Sequence, residues 1–196
     1  MPKALAKTIS ALPARSLLHP LDDFYAWAGL ALPAVEKIDA LAMPEPYRSL
    51  LAHESDMTST LEKFHGHTLH IRVQRSRRER TAEGHDVYCR ELVLLADGLE
   101  QPVEFGAIQM FLDRFSAAVQ VEILAEHHPL GAILNASGLK YTSRPAGFLR
   151  FASDPFINGL LQLSGVQILY GRRNTLFNAG HEPLAEIIEI LPPIQS

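Results

Sequence analysis

The strand predicted over Val87–Ala96 carries two charged residues among apolar neighbours. Arg90 shares one face with two leucines, and Glu91 shares the other face with valine and leucine. A strand that is apolar on both faces is normally covered on both sides, so each charge is expected to be at least partly buried and to need a partner. The planar guanidinium of an arginine in such a place is suited to a carboxylate, because it donates two parallel hydrogen bonds.

The last predicted strand, Leu184–Leu191, repeats this pattern with acids. Glu186 and Glu189 differ in parity, so one acid lies on each otherwise apolar face. Two interpretations stay open. The charges on the two strands form inter-strand ion pairs or reach solvent at strand ends, or they line a closed pocket. In such a pocket Arg90 would hold a substrate carboxylate and a buried glutamate would transfer protons, because burial raises a carboxyl pKa toward neutral pH.

Three further arginines could contribute to such a pocket. Arg144 precedes a proline and is therefore expected to be extended, either as a second anion contact or as a surface residue. Arg172 and Arg173 alternate in facing, so at most one of them can reach a pocket. Arg172 could instead form an ion pair with Glu182 or Glu186.

Metal and cofactor motifs are not predicted. His65, His67 and His70 do not share one face of the strand that follows Gly66, so three ligands would not converge. We find no glycine-rich phosphate loop and no Ser-His-Asp motif in a suitable context. The single cysteine, Cys89, lies in a strand interior and is expected to be an inert core thiol.

The periodicity predicts an α+β fold with a single antiparallel sheet of about six strands and helices packed on it. Residues 31–46 contain three prolines and are expected to be loop, and Arg75–Asp86 is expected to connect two strands of a hairpin. The predicted helices cover Leu21–Leu30, Pro46–His53, Glu54–Gly66, Arg114–Glu126 and a short segment after Pro129. The predicted strands begin at Leu69 and then cover Val87–Ala96, Pro102–Met110, Leu139–Phe151, Val166–Asn178 and Leu184–Leu191.

Composition excludes several classes of function. The chain has 196 residues, of which 47% are apolar and 20% charged, as expected for a globular protein with one sizeable core. The net charge of −4 gives no global reason to bind nucleic acid or an anionic membrane. No stretch approaches the roughly 18 apolar residues of a membrane span. One cysteine suits a reducing compartment, so we expect a cytoplasmic location.

Several short motifs together resemble the bacterial chorismate pyruvate-lyases. They occur in the family's order over roughly residues 50–193, and this resemblance adds the family's chorismate lyase-like fold to the prediction. The same fold family includes effector-sensing domains of some transcription regulators, which bind small molecules without turning them over. The motifs are Asp56-Met57-Thr58 at a helix start, the strand and turn Tyr88–Gly98, Pro129-Leu130-Gly131, Gly171-Arg172-Arg173, and a strand from Pro183-Leu184 to an acid and Pro192.

The resemblance implies a lyase without cofactor or metal that converts chorismate to 4-hydroxybenzoate and pyruvate in a closed internal site beneath helical flaps. By the same resemblance, Arg90 binds the ligand carboxylate, Glu189 meets the opposite end as the acid, and backbone groups at Met57 and Leu130 contact the ligand. Glu186 stays an alternative for the acid, because the family's spacing from the preceding proline varies slightly.

Two other functions stay open beside this one. The same pocket could bind a small aromatic acid without turnover, or a related lyase could release another hydroxybenzoate isomer. A small molecule is the expected partner in each case, and the oligomeric state is left open. We expect residues 1–45 to form a partly irregular leader and helix, and residues 46–196 to form the chorismate lyase-like domain.

Overall fold

The computed structural model describes residues 16–194, so the part of the predicted leader before residue 16 lies outside the described residues. The described strands are β1 (Val35–Ile38), β2 (Leu69–Arg80), β3 (Asp86–Ala96), β4 (Gln101–Phe111), β5 (Tyr141–Ala152), β6 (Ile168–Asn178) and β7 (Pro183–Leu191). The described helices are α1 (Leu21–Trp27), α2 (Tyr47–Leu51), α3 (Met57–His65), α4 (Ala117–Ala125), α5 (Leu130–Ser137) and α6 (Pro155–Leu161).

The strands form one antiparallel sheet in the order β1-β5-β6-β7-β4-β3-β2. The described sheet has seven strands, not about six, because β1 pairs with β5 in register Val35↔Phe151. The expectation that residues 31–46 are loop is therefore wrong at β1. This edge strand has only four residues and no fully buried side chain, so it lacks the apolar alternation that marks a longer strand.

The hairpin of β2 and β3 is longer than predicted. The residues from Arg75 to Arg80 belong to β2, not to a polar connection. Two of these arginines have acidic partners on β3: Arg75 donates to Glu91 at 2.8 Å, and Arg78 donates to both carboxylate oxygens of Asp86, at 3.0 and 2.7 Å. Exposed charges suit this position because β2 is an edge strand, where they oppose pairing with another chain.

Helices cover both faces of the sheet. On one face, α2, α3, α4 and α5 pack against the even-numbered residues of β3 and β4, such as Leu92 and Met110. On the other face, α1 and the unpredicted helix α6 pack against odd-numbered residues such as Val93 and Phe105. The strands β3, β4 and β7 are therefore buried on both sides, as the double-sided apolar pattern of β3 and β7 predicts. No described helix is long and apolar enough to cross a membrane.

Candidate functional site

A cavity lies between the sheet and the N-terminal ends of α3 and α5. Its volume, taken as the space that the centre of a water molecule can occupy, is about 70 Å³. One buried water needs roughly 10–15 Å³ by the same measure. Residues of strands β2 to β7 form the floor of the cavity, and the starts of α3 and α5 form its roof. The charged and polar side chains that line it are Asp56, Arg90, Glu104, Tyr141, Ser143, Arg172, Asn174 and Glu189.

Arg90 is the positive group of the cavity that lacks an acidic partner among residues 16–194. Its side chain is fully buried, and Nη2 donates to the His128 carbonyl oxygen at 3.2 Å. Nε and Nη1 have no hydrogen-bond partner among the described residues. Burial lowers the Arg90 pKa to about 10, against smaller raising effects of Tyr88 and Glu126. The guanidinium is therefore still charged at neutral pH and has two free donors for an anion.

Glu189 lies in the same cavity but has a partner. It stands opposite Arg172 in the β6–β7 register, and Arg172 Nε donates to its Oε2. Arg172 Nη1 also donates to the carbonyl oxygens of Leu51 and His53, at 3.1 and 2.8 Å. The alternative in which Arg172 pairs with Glu182 or Glu186 is therefore wrong, because the Arg172 side chain points to the cavity face and meets Glu189 there.

Glu104 is a cavity residue that the sequence analysis missed. It is buried, and its Oε2 has no hydrogen-bond partner among the described residues. Burial raises its pKa well above the ordinary value, and the Glu189 carboxylate raises it further, while the Arg172 guanidinium opposes the shift. The signal was present in the sequence, since Glu104 is a lone charge on an apolar strand, as Glu91 is.

Glu91 illustrates the alternative outcome for such a charge. It lies on the face of β3 that is turned away from the cavity and accepts a hydrogen bond from Arg75 Nη2 on β2 at 2.8 Å. Of the two charged residues on β3, Glu91 thus forms an inter-strand ion pair and Arg90 lines the cavity. The two interpretations of the sequence each describe one of them.

The roof is built from two helix starts that meet. Asp56 caps α3, with its Oδ2 accepting from the Ser59 backbone N–H at 2.9 Å and the Ser59 hydroxyl at 2.7 Å. Met57 is the first residue of α3 and Leu130 the first of α5, and both line the cavity. Gly131 follows at the point where the Asp56 carboxylate passes over the α5 backbone. The backbone positions implied by the resemblance are thus brought to one side of the cavity.

We expect Gly131→Ala to lower the free energy of unfolding by about 1–3 kcal/mol. A methyl group on Gly131 would overlap the Asp56 carboxylate, and moving that carboxylate would break the α3 cap, which is itself worth about 1 kcal/mol. Chemical denaturation measures the change. Gly159→Ala in α6 is the matched control, because its added methyl group would meet no atom within 4 Å. Equal stabilities of the two variants would contradict the close contact between α3 and α5.

Two candidate residues lie outside the cavity. Glu186 is on the opposite face of β7, where its Oε2 lies 3.2 Å from His19 Nε2 and its Oε1 lies 3.5 Å from Arg173 Nη2. Arg144 is exposed on β5, and its guanidinium carbon lies 5.3 Å from the centre of the Phe177 ring. The alternation of β7 therefore places Glu189, and not Glu186, among the acids that line the cavity, and Arg144 lies at the surface.

His19 joins the segment before α1 to β7. Its Nδ1 lies 3.6 Å from Asp22 and 3.3 Å from Asp23, and its Nε2 faces Glu186. His19, Asp22 and Asp23 also form a group that could hold a metal ion in the described part of the chain. Burial lowers the pKa of His19, but the hydrogen bonds to the three acids outweigh burial and raise it to about 10. The ion pairs to a protonated imidazole account for this arrangement without a metal.

We expect His19→Gln to lower the free energy of unfolding by about 2 kcal/mol near pH 6. The folded-state pKa of about 10 lies above the ordinary value of 6.5, so the contribution is complete below pH 6.5 and disappears as the pH rises to 10. Denaturation at a series of pH values measures this. His67→Gln, at an exposed position, is the control. A difference that stays constant across this range would contradict the ion-pair account.

Comparison with known proteins identifies the fold. No family model and no curated protein matches the chain. The effector domain of PhnF from Mycobacterium smegmatis matches with a TM-score of 0.55 and 13% identity, over 69% of this chain and 87% of that one. A structure of PhnF from the same organism matches with a TM-score of 0.55 and 13% identity, over 71% of this chain and 64% of that one. A GntR-family transcriptional regulator from Bacillus cereus matches with a TM-score of 0.46 and 12% identity, over 65% of this chain and 96% of that one.

The chain thus has an effector-domain-like α+β fold, in which one antiparallel sheet carries the cavity. The predicted fold class is confirmed, including the chorismate lyase-like fold that such domains share with the lyases. At 13% identity these similarities establish the fold alone.

Proposed function

We propose that the cavity binds a small organic acid, of the aromatic carboxylate class, with its carboxylate at Arg90. The observation that carries this proposal is the buried guanidinium with two unpartnered donors, Nε and Nη1, in the described part of the chain. An unpartnered buried charge is costly to the folded protein, and an anionic ligand would offset that cost. A carboxylate supplies a full negative charge and acceptor oxygens for such donors, which makes it a strong partner for a guanidinium.

Reversible binding without turnover is the function that has the wider support. The effector domain of PhnF is among the similar structures. The cavity combines the Arg90 guanidinium, which has no acidic partner among residues 16–194, with apolar walls such as Leu92 and Ile108. Such a site, mostly apolar with a few polar groups that fix orientation, is typical of small-molecule binding. The buried thiol of Cys89 is compatible with the expected reducing compartment of the cytoplasm.

Isothermal titration calorimetry with benzoate, 4-hydroxybenzoate and methyl benzoate tests the proposal. We expect the two carboxylates to bind and the ester to bind at least about tenfold more weakly, because it lacks the charge that Arg90 needs. Equal affinities for acid and ester would refute a carboxylate site at Arg90.

The second candidate is the lyase that converts chorismate to 4-hydroxybenzoate and pyruvate, and the acids at the other end of the cavity favour it. In this reaction the ether C–O bond breaks, the ring loses a proton and becomes aromatic, and the enolpyruvate leaving group gains a proton. Glu189 would accept the ring proton and return it to the enolpyruvate carbon, while Arg90 holds the ring carboxylate. No further reactant is needed for this balance.

Incubation of the purified protein with chorismate separates the two candidates. Release of equal amounts of pyruvate and an aromatic acid would favour the lyase, and chromatography of the product would distinguish 4-hydroxybenzoate from another isomer. Binding of 4-hydroxybenzoate by a folded protein that releases no pyruvate would favour the binding function.

A further inference from the structure

Glu104 is a second unpartnered group in the cavity, and the proposed function does not use it. Its carboxyl group lies over the backbone of Gly106, where an added Cβ would be 3.5 Å from Oε1. Its Oε2 is buried without a hydrogen-bond partner among residues 16–194. A buried carboxyl oxygen without a partner is unfavourable by about 1–3 kcal/mol or more, so a ligand group that pairs with it would be bound selectively.

The electrostatic surroundings of Glu104 are negative. The groups that face it are the Glu189 carboxylate on β7, the Asp56 carboxylate at the start of α3 and the Arg172 guanidinium on β6. The hydrogen bonds of Arg172 go to Glu189 and to two backbone carbonyl oxygens, and not to Glu104. The carboxyl groups of Glu104, Glu189 and Asp56 thus lie near a single guanidinium, that of Arg172, whose hydrogen bonds are already made. This end of the cavity therefore favours a positively charged hydrogen-bond donor.

Arg90 and Glu104 lie at opposite ends of the cavity floor. Arg90 pairs with Ile108 across β3 and β4, and Glu104 pairs with Leu94. The four-residue offset along β4 separates the two positions by about 13 Å at roughly 3.3 Å per residue. No ion pair joins their side chains in the described part of the chain. The floor between them is apolar and is kept open by Gly106, which suits one aromatic ring with a polar group at each end.

We propose that the cavity selects a zwitterionic aromatic acid, with its carboxylate at Arg90 and a cationic amine at the opposite end of the ring at Glu104. This inference rests on the proposed function, because it assumes that a carboxylate occupies Arg90. It adds a specificity-determining residue and a ligand class to the site.

Proton release is a consequence of this arrangement. Burial and the neighbouring carboxylates raise the Glu104 pKa, so the group holds a proton in the free protein over a wider pH range. A ligand ammonium pairs best with the ionised carboxylate, so its binding displaces that proton. The affinity for a zwitterion therefore rises with pH until Glu104 is ionised in the free protein, and the affinity for a simple carboxylate lacks this contribution.

Calorimetry with 4-(aminomethyl)benzoate and 4-methylbenzoate tests the proposal, since the two acids differ by the ammonium group. We expect the zwitterion to bind at least about tenfold more tightly. Titrations in two buffers of different ionisation enthalpy should show proton release with the zwitterion alone. Both measurements use the wild-type protein. In Glu104→Gln the affinity ratio should fall to about one, whereas Glu36→Gln, at an exposed position on β1, should preserve it.

The outcomes separate this inference from the proposed function. If both acids bind equally, or if the preference persists in Glu104→Gln, the role of Glu104 is refuted and the carboxylate site stands. If 4-hydroxybenzoate is preferred over 4-methylbenzoate by the same factor as 4-(aminomethyl)benzoate is, and without proton release, the preference for a cationic ligand is also refuted. If neither acid binds, the proposed function fails, and this inference fails with it.

Discussion

Arg90→Met is expected to weaken carboxylate binding by at least about 100-fold, because truncating one partner of a buried charged pair costs about 2–5 kcal/mol. The ligand carboxylate would enter the cavity without the guanidinium whose unpartnered donors, Nε and Nη1, are available to it. Calorimetric titration with 4-hydroxybenzoate measures the loss. Arg144→Met is the matched control, because Arg144 is an exposed arginine outside the cavity and its replacement should leave the affinity unchanged.

The same variant should be as stable as the wild-type protein, or more stable by about 1 kcal/mol, because methionine removes a buried charge that has no acidic partner. Loss of binding together with retained stability would separate a ligand-binding role of Arg90 from a structural one. A large loss of stability in Arg90→Met would contradict the proposal, because it would mean that the guanidinium stabilises the folded chain by itself.

Arg172→Met is expected to show the opposite pattern, with a loss of about 3–5 kcal/mol in the free energy of unfolding. Arg172 is fully buried and donates to Glu189, and its removal leaves that carboxylate buried without its cation. It also leaves the carbonyl oxygens of Leu51 and His53 without a donor. Denaturant unfolding followed by circular dichroism measures the effect.

The double variant Arg172→Met/Glu189→Met provides the control for this prediction. Replacing both members of a buried ion pair by apolar residues is often neutral, so the part of the lost stability that comes from the unpaired Glu189 carboxylate should return. If the double variant is less stable than Arg172→Met alone, the destabilisation does not come from an unpaired Glu189, and the account of the pair is wrong.

Alternation along single strands was sufficient to place several site residues. The double-sided apolar patterns around Arg90 and Glu189 predicted buried charges, and the structure places both in one cavity. The difference in parity between Glu186 and Glu189 predicted that they face opposite ways. These inferences succeed because the side-chain direction in a strand has a period of two residues, whatever the rest of the chain does.

Pairing between strands could not be predicted in the same way. The partner of Arg172 is Glu189 because the β6–β7 register sets these two residues opposite each other. Register depends on turn geometry and on the packing of the whole sheet, neither of which a single strand reveals. Glu104 is a charged residue among apolar neighbours on β4, as Arg90 is on β3, and this pattern predicts burial without identifying which groups will surround the charge.

The measurement that tests the central claim most directly is a crystal structure of the protein with 4-hydroxybenzoate. We predict that the ligand lies in the cavity under α3 and α5, with a carboxylate oxygen about 3 Å from Arg90 Nε or Nη1. A ligand bound elsewhere with none in the cavity, or a carboxylate that points away from Arg90, would contradict the claim.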